Sequence, residues 1–168
     1  MKYLYTSALL LISVFLSTSL YAVVLAERGK ARATIIVGAD AVDSEKFAAN
    51  ELADYLKQIT GADFTVKDSP VGVSGTKIYV GQTRLVKRLL PDFSWSEVNG
   101  DGIVIKTVGS DLVLSGDRPR GTIYAVYTFL EDYLGVRWWA PDATYVPRKS
   151  TLRTKEINIT YKPPFVYR

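Results

Sequence analysis

The sequence lacks both cysteine and histidine. Without cysteine, the chain has neither a disulfide framework nor a thiol nucleophile. Without histidine, it has no imidazole general base, no Ser-His or Cys-His arrangement, and not the commonest zinc ligand. These two absences exclude most hydrolase chemistries, and they leave only a site built from carboxylates or from a lysine base.

The chain also lacks a strong charge bias. It has 21 Lys and Arg against 17 Asp and Glu, a formal net charge of +4 over 168 residues. Hydrophobic residues make up 48% and charged residues 23%, which is typical of a globular domain long enough to bury a core. The small positive excess predicts a solvated surface and no nucleic-acid partner.

The N-terminal segment has the features of a targeting signal. Residues 4–25 carry no charge, and Ala22 and Ala26 each offer a small residue for signal peptidase. We therefore expect a signal peptide over residues 1–26 and a secreted or periplasmic protein that starts after one of these alanines. The alternative is an uncleaved membrane anchor, since a segment of this length can span a bilayer.

The rest of the chain alternates predicted strands with two amphipathic helices. The first helix begins near the N-cap residue types Asp43 and Ser44 and ends at Gly61, and the second covers residues 119–134. Composition predicts shorter elements as well: strands at 34–37, 64–66, 77–81, 102–107, 112–115, 137–139 and 145–146, a short helix at 83–90, and an extended tail at 152–159.

These elements predict an α/β (α+β) two-layer sandwich, in which a mixed β-sheet has two main helices packed on one face. The alternative is a doubly wound Rossmann arrangement. It fits less well, because the strands on either side of Gly109 are separated by a short turn and therefore need antiparallel hairpin pairing. The sequence has no internal repeat and no linker that leads to a second domain, so we expect one domain over residues 27–162.

The segment Gly116-Asp-Arg-Pro-Arg-Gly121 lies between a predicted strand and the start of a helix. Free backbone N–H groups at a helix N-terminus favour an anion, and two arginines can hold a carboxylate in a fork. The structural alternative is that the glycines let strand and helix approach closely. A third reading makes Arg118 and Arg120 docking contacts to another domain.

Two adjacent tryptophans raise the question of sugar stacking, since aromatic faces offer apolar contact. In a strand, Trp138 and Trp139 point to opposite faces, so one of them is expected in the core. The other, together with Arg137, is expected at an interface between domains. The open alternative is a glycan platform formed by Trp139 and Arg137.

The acidic residues form no convincing catalytic pair. The two pairs Glu51 with Asp54 and Glu131 with Asp132 fall on predicted helices and are most simply solvated faces. Glycoside cleavage needs two carboxyl groups that face each other across a cleft. We therefore assign no catalytic residue, no metal ligand and no cofactor to this chain.

Three stretches resemble a known family. They are Asp101-Gly-Ile-Val-Ile, then Leu114-Ser-Gly-Asp-Arg-Pro-Arg-Gly-Thr-Ile-Tyr-Ala-Val-Tyr-Thr-Phe-Leu-Glu, then Leu134-Gly-Val-Arg-Trp-Trp-Ala-Pro. They resemble the N-terminal domain of α-glucuronidases of glycoside hydrolase family 67. That domain is in turn similar to the one preceding the barrel in β-hexosaminidases.

The resemblance implies a non-catalytic accessory domain of a secreted glycoside hydrolase that degrades polysaccharide such as xylan. Residues 163–168 would then begin a (β/α)8 barrel against which the domain packs. The docking or substrate-bordering candidates are Arg118, Arg120, Arg137 and Trp139. The resemblance adds Arg168, because an arginine in a similar setting contacts substrate in β-hexosaminidases. The alternative is a stand-alone carbohydrate-binding module.

Overall fold

A six-stranded mixed sheet forms the centre of the computed structural model, which describes residues 23–164. The elements in chain order are β1 (Val23–Glu27), β2 (Lys30–Ala31), β3 (Ala33–Val37), α1 (Asp43–Thr60), β4 (Val66–Lys67), β5 (Thr76–Val80), α2 (Arg84–Leu89), a 3₁₀ turn (Trp95–Val98), β6 (Ile103–Val108), β7 (Asp111–Gly116), α3 (Gly121–Thr128) continued by a π-helical turn (Phe129–Leu134), β8 (Arg137–Ala140), β9 (Ala143–Tyr145), β10 (Leu152–Thr154) and β11 (Asn158–Tyr161).

The central sheet has the strand order β11-β6-β7-β5-β3-β4. Strands β4, β3, β5 and β7 run parallel, whereas β6 pairs antiparallel with β7 and β11 pairs antiparallel with β6. The β6–β7 hairpin turns at Gly109, whose φ of +60° suits glycine. This antiparallel half of the sheet rules out the doubly wound alternative.

The two main helices pack on one face of this sheet. Leu52 and Leu56 of α1 and Val126 of α3 lie in the same buried cluster as Ile35 and Ile78 of the sheet. The predicted two-layer sandwich with a mixed sheet and two main helices is therefore confirmed. The short helix α2 covers part of the opposite face, where its Val86 packs in a second, smaller cluster.

The helix boundaries differ in detail from the sequence prediction. The N-cap of α1 is Val42 rather than Asp43 or Ser44, and the carboxylate of Glu45 accepts the Val42 N–H at 2.9 Å. Helix α3 begins at Gly121, two residues after Pro119. The predicted end of α1 is confirmed, since Gly61 has a left-handed φ of +77° and its N–H bonds the Lys57 carbonyl.

Two smaller sheets complete the fold. Strands β10, β1 and β2 form one, and the β8–β9 hairpin forms the other. Val23, Leu25 and Ala26 of β1 have no exposed surface. The fold thus includes at least four residues before the predicted domain start at Glu27. Residues 1–22, where most of the predicted signal peptide falls, lie outside the described residues.

None of the helices in the described part of the chain is long and apolar enough to cross a membrane.

Candidate functional site

The carboxyl ends of the parallel strands are the first place to look for a ligand site. Strands β3, β5 and β7 end at Val37, Val80 and Gly116 on the same edge of the sheet. Open α/β sheets bind their ligands in the crevice outside this edge. The loops that follow these three strands, together with the first turn of α1, therefore line the candidate ligand crevice.

Glu45 fills this crevice from the first turn of α1. A Cβ atom on Gly81 would lie 2.9 Å from the Glu45 Cδ, so the loop after β5 lies directly against the carboxylate. The Gln82 N–H donates to Glu45 Oε1 at 2.7 Å. The side chain keeps only 1% of its surface exposed. A charge buried this deeply needs a charged or hydrogen-bonding partner.

Arg118 is that partner. Its Nε donates to Glu45 Oε1 at 3.0 Å and its Nη2 to Oε2 at 2.9 Å, the two-pronged geometry that arginine forms with carboxylates. These hydrogen bonds raise the pKa of Arg118 above its ordinary value. The predicted arginine fork therefore exists for Arg118, but the carboxylate that it holds belongs to the protein itself.

Asp40 extends the same network. The Nη2 of Arg118 also donates to the Asp40 carbonyl at 3.2 Å, and the Arg84 N–H donates to Asp40 Oδ2 at 2.9 Å. Burial opposes ionisation of Asp40, but the Arg84 N–H and the charges of Arg84 and Arg118 outweigh it, so the pKa lies below its ordinary value. Internal partners thus occupy both carboxylates at this edge.

Arg120 is held by a different acid, next to the start of α3. Its Nε donates to Asp101 Oδ1 at 3.2 Å, and its Nη2 bonds Oδ2. This pairing raises the pKa of Arg120. The structural alternative for the surrounding glycines holds, because a Cβ on Gly116 or Gly121 would collide with the backbone carbonyl of Gly102.

The β8–β9 hairpin separates the two tryptophans as the strand alternation predicts. Trp138 is half-buried, packs edge-on against Tyr55 and Tyr127, and donates its Nε1–H to the Tyr55 hydroxyl at 2.8 Å. Trp139 is 72% exposed and stacks on Tyr145. Trp138 is thus the core residue, and Trp139 is the one available for contact.

The candidate residues form two groups rather than one. Arg118 and Arg120 precede α3, whereas Arg137 and Trp139 follow its π-helical turn. A helical segment of 14 residues is on the order of 20 Å long, so the structure does not bring the two groups together. Arg168 lies outside the described residues.

Of the four helix acids, Asp54, Glu131 and Asp132 are exposed, as the sequence predicts, whereas Glu51 is partly buried. Glu51 accepts a hydrogen bond from the Tyr127 hydroxyl at 2.8 Å, and burial together with this carboxylate raises the pKa of Tyr127. Glu131 lies 3.9 Å from the Nη1 of Arg137. In residues 23–164, no cluster of three or more acidic side chains is placed to hold a metal ion. Among the helix acids, Glu51 therefore has a structural role.

Sequence reasoning missed Glu45, although one signal was present. Residues 45, 48, 52, 56 and 59 follow helical spacing, which puts Glu45 on the apolar stripe of α1. A carboxylate on a buried stripe needs a cation, and this requirement would have drawn attention to the unassigned arginines. Which arginine meets it depends on contacts 73 residues apart, which local patterns do not reveal.

An open groove of about 620 Å³ lies at the other end of α1. Lys57, Gly61, Val146, Arg148 and Lys149 line part of it. Lys57 already pairs with Asp63 at 2.6 Å. Cations at a helix C-terminus complement the negative end of the helix dipole, which itself repels anions. The position of Lys57 in the last turn of α1 is thus explained by helix termination.

Comparison with known proteins places the fold near a glycosidase. The chain is similar to the solved structure of a family GH115 4-O-methyl-alpha-glucuronidase with specificity for decorated arabinogalactans. The TM-score is 0.62 at 22% identity, over 82% of this chain and 18% of that chain. No family model matches the sequence, and no curated protein is similar to it. The likeness shows a shared α+β fold.

The structural neighbour agrees with the resemblance at a coarse level. It is an α-glucuronidase, the activity that the sequence motifs suggested, but it belongs to family GH115 rather than to family 67. This chain spans less than a fifth of that structure. Membership in family 67 remains a prediction.

Proposed function

We propose that this chain is a non-catalytic accessory domain of an exported, α-glucuronidase-like glycoside hydrolase. The single observation that supports it best is the closed crevice at the carboxyl ends of β3, β5 and β7. Where folds of this type bind ligands, Glu45 and Arg118 pair with each other. Together with the fold shared with a much longer glucuronidase, this favours an accessory role over a catalytic one.

The proposed partner is a downstream (β/α)8 barrel of the same protein, and the surface of α3 beside β11 is the candidate contact. Tyr124 and Tyr161 are exposed there, and Pro163 lines the same shallow cavity of about 150 Å³. The last described residues of the chain therefore lie beside this surface. Arg120 adjoins it through Asp101, which also lines the cavity.

The same proposal has two further parts. The first is export through an N-terminal signal peptide, and the second is action of the whole enzyme on a uronic-acid-bearing polysaccharide such as xylan. The sequence pattern of residues 4–25 supports the first. The 4-O-methyl-alpha-glucuronidase activity of the structural neighbour, which is specific for decorated arabinogalactans, supports a uronic-acid-bearing substrate, and the choice of xylan rests on the sequence resemblance.

Hydrolysis assays with the purified chain test the accessory role. Because the acids at the carboxyl edge of the sheet are engaged internally and the chain has no histidine, we expect no turnover of 4-nitrophenyl glycosides or of glucuronic-acid-bearing xylo-oligosaccharides above the buffer blank. A glycoside hydrolase expressed and purified in parallel serves as the positive control. Turnover that disappears when one Asp or Glu of this chain is changed to its amide would overturn the proposal.

A further inference from the structure

The outer face of the β8–β9 hairpin carries an exposed pair of aromatic rings. Trp139 is 72% and Tyr145 is 50% exposed. Their ring centroids are 6.1 Å apart and their planes differ by 28°, so the two rings stack on each other and their exposed surface lies on the sides turned away from this contact. Arg137 lies in register opposite Tyr145. We call Arg137, Trp139 and Tyr145 the aromatic platform.

The platform stands on a rigid support. On the inner face of the same hairpin, Trp138 packs edge-on against Tyr55 of α1 and Tyr127 of α3 at 5.5 and 5.2 Å. Its hydrogen bond to Tyr55 fixes the indole ring. Trp138 thus anchors the hairpin that carries the platform, and a hairpin that is anchored before binding reduces the entropy lost when a ligand is bound.

Arg137 adds hydrogen-bond donors beside the rings. Its Nη1 donates to the carbonyls of Glu131 and Val136 at 2.6 and 2.9 Å, which fixes the guanidinium. Its Nε and Nη2 bond no group among residues 23–164. A guanidinium with free donors binds hydroxyl oxygens, and it binds carboxylates most strongly.

The size of the platform indicates its ligand. Two partly exposed aromatic side chains offer roughly 300 Å² of apolar surface. A stable protein interface needs about 800 Å² from each partner. The tip of the hairpin, Pro141 and Asp142, adds no large apolar side chain to the rings. An exposed aromatic face with donors at its side matches a pyranose ring, whose C–H faces are flat and whose edges carry oxygens.

We propose that the aromatic platform is a glycan-binding site. A pyranose ring stacks on the exposed face of Trp139, whose ring is supported by Tyr145, and Arg137 donates to the sugar's hydroxyl groups or, preferentially, to the carboxylate of a uronic acid. This goes beyond the proposed function, which requires no glycan contact by this chain. If binding fails, the accessory role is unaffected.

Calorimetric titration of the purified chain tests the proposal, with xylotetraose and a glucuronic-acid-bearing xylotetraose as probes. We expect saturable binding that is tighter for the acidic probe. Trp139→Ala should lower the affinity for both probes at least roughly tenfold, since a central aromatic contributes most of the binding energy of a small site. Arg137→Gln should remove the preference for the acidic probe and leave the affinity for the neutral xylotetraose nearly unchanged.

Phe47→Ala is the matched control, because Phe47 is a 52% exposed aromatic on α1, away from the hairpin. It should bind both probes like the unchanged chain, and the melting temperature of Trp139→Ala should match that of the unchanged chain. The proposal is wrong if neither probe saturates, or if Trp139→Ala binds as before. Self-association in ultracentrifugation that is lost in Trp139→Ala would instead identify a second copy of the chain as the occupant.

Discussion

Glu45 holds together three loops that come from distant parts of the sequence. Its carboxylate accepts hydrogen bonds from the backbone of Val42 and Gln82 and from two nitrogens of Arg118. Glu45→Gln replaces one acceptor oxygen with an NH₂ group that faces donors, and it leaves the Arg118 charge unpaired. We expect the free energy of unfolding in urea to fall by about 2–3 kcal/mol.

Glu131→Gln is the matched control for this substitution. It removes the same charge, but Glu131 lies 3.9 Å from Arg137 and its side chain is half exposed. Solvent screens such a pair, so the expected change is below about 0.5 kcal/mol. Equal losses for the two variants would show that the Glu45–Arg118 pair does not hold the loops together.

Residue-scale prediction from the sequence succeeded where one residue's own chemistry decides the outcome. Gly61 ends α1 because a left-handed cap requires a glycine there, and Trp138 and Trp139 diverge because strand side chains alternate. It failed for Arg118, whose partner is 73 residues away in the sequence. Local patterns show that a buried acid needs a cation, but only the fold selects which one.

At the scale of elements, three glycines determine how closely α3 approaches the sheet. The backbone of Gly102 lies against both Gly116, at the end of β7, and Gly121, at the start of α3. A Cβ at position 121 would collide with backbone atoms, which cannot rotate away. Gly121→Ala should therefore lower the free energy of unfolding by about 2 kcal/mol or more, despite alanine's better helix propensity.

The control for this substitution is Gly109→Asn in the β6–β7 turn. A Cβ at Gly109 meets no atom within 4 Å, and asparagine tolerates a φ of +60° better than other side chains do. Its thermal and urea unfolding should stay within about 0.5 kcal/mol of the unchanged chain. A stable Gly121→Ala protein would mean that the helix shifts outward at little energetic cost.

Element prediction worked best for long periodic segments. The apolar stripe of α1 and the β6–β7 hairpin were located to within a few residues. The starts of the short β4 and of α3 were each displaced by two residues, because two-residue strands and loop-to-helix transitions depend on neighbouring elements rather than on their own sequence. The extended tail predicted at 152–159 divides into β10 and β11, which pair in different sheets.

At the scale of the whole molecule, the sheet topology separates the proposed roles in space. The parallel edge is closed by the ion pair of Glu45, the α3–β11 surface lies beside the last described residues, and the aromatic platform follows the far end of the π-helical turn. The sequence placed Arg118, Arg120, Arg137 and Trp139 on one surface. All four residues are close to the same helix in the sequence, but they lie at its opposite ends, so the length of the helix separates them in space.

The N-terminal strand allows the two predicted cleavage sites to be distinguished. In β1, Val23, Leu25 and Ala26 have no exposed surface, and the strand pairs with β10 from Val23↔Thr154 onward. Cleavage after Ala26 would remove these residues from the core, whereas cleavage after Ala22 would keep the strand whole. We therefore expect N-terminal sequencing of the exported protein to begin at Val23.

A stability comparison checks the physical basis of that expectation. A chain that starts at Glu27 loses two large buried side chains, Val23 and Leu25, each worth about 1.5–3 kcal/mol when fully buried. Its free energy of unfolding should be at least about 3 kcal/mol lower than that of a chain that starts at Val23. Because β10 would also lose its partner strand, Leu152 would become exposed to solvent in the shortened protein. An exported protein that begins at Glu27 and is as stable as the longer one would show that β1 is dispensable to the fold.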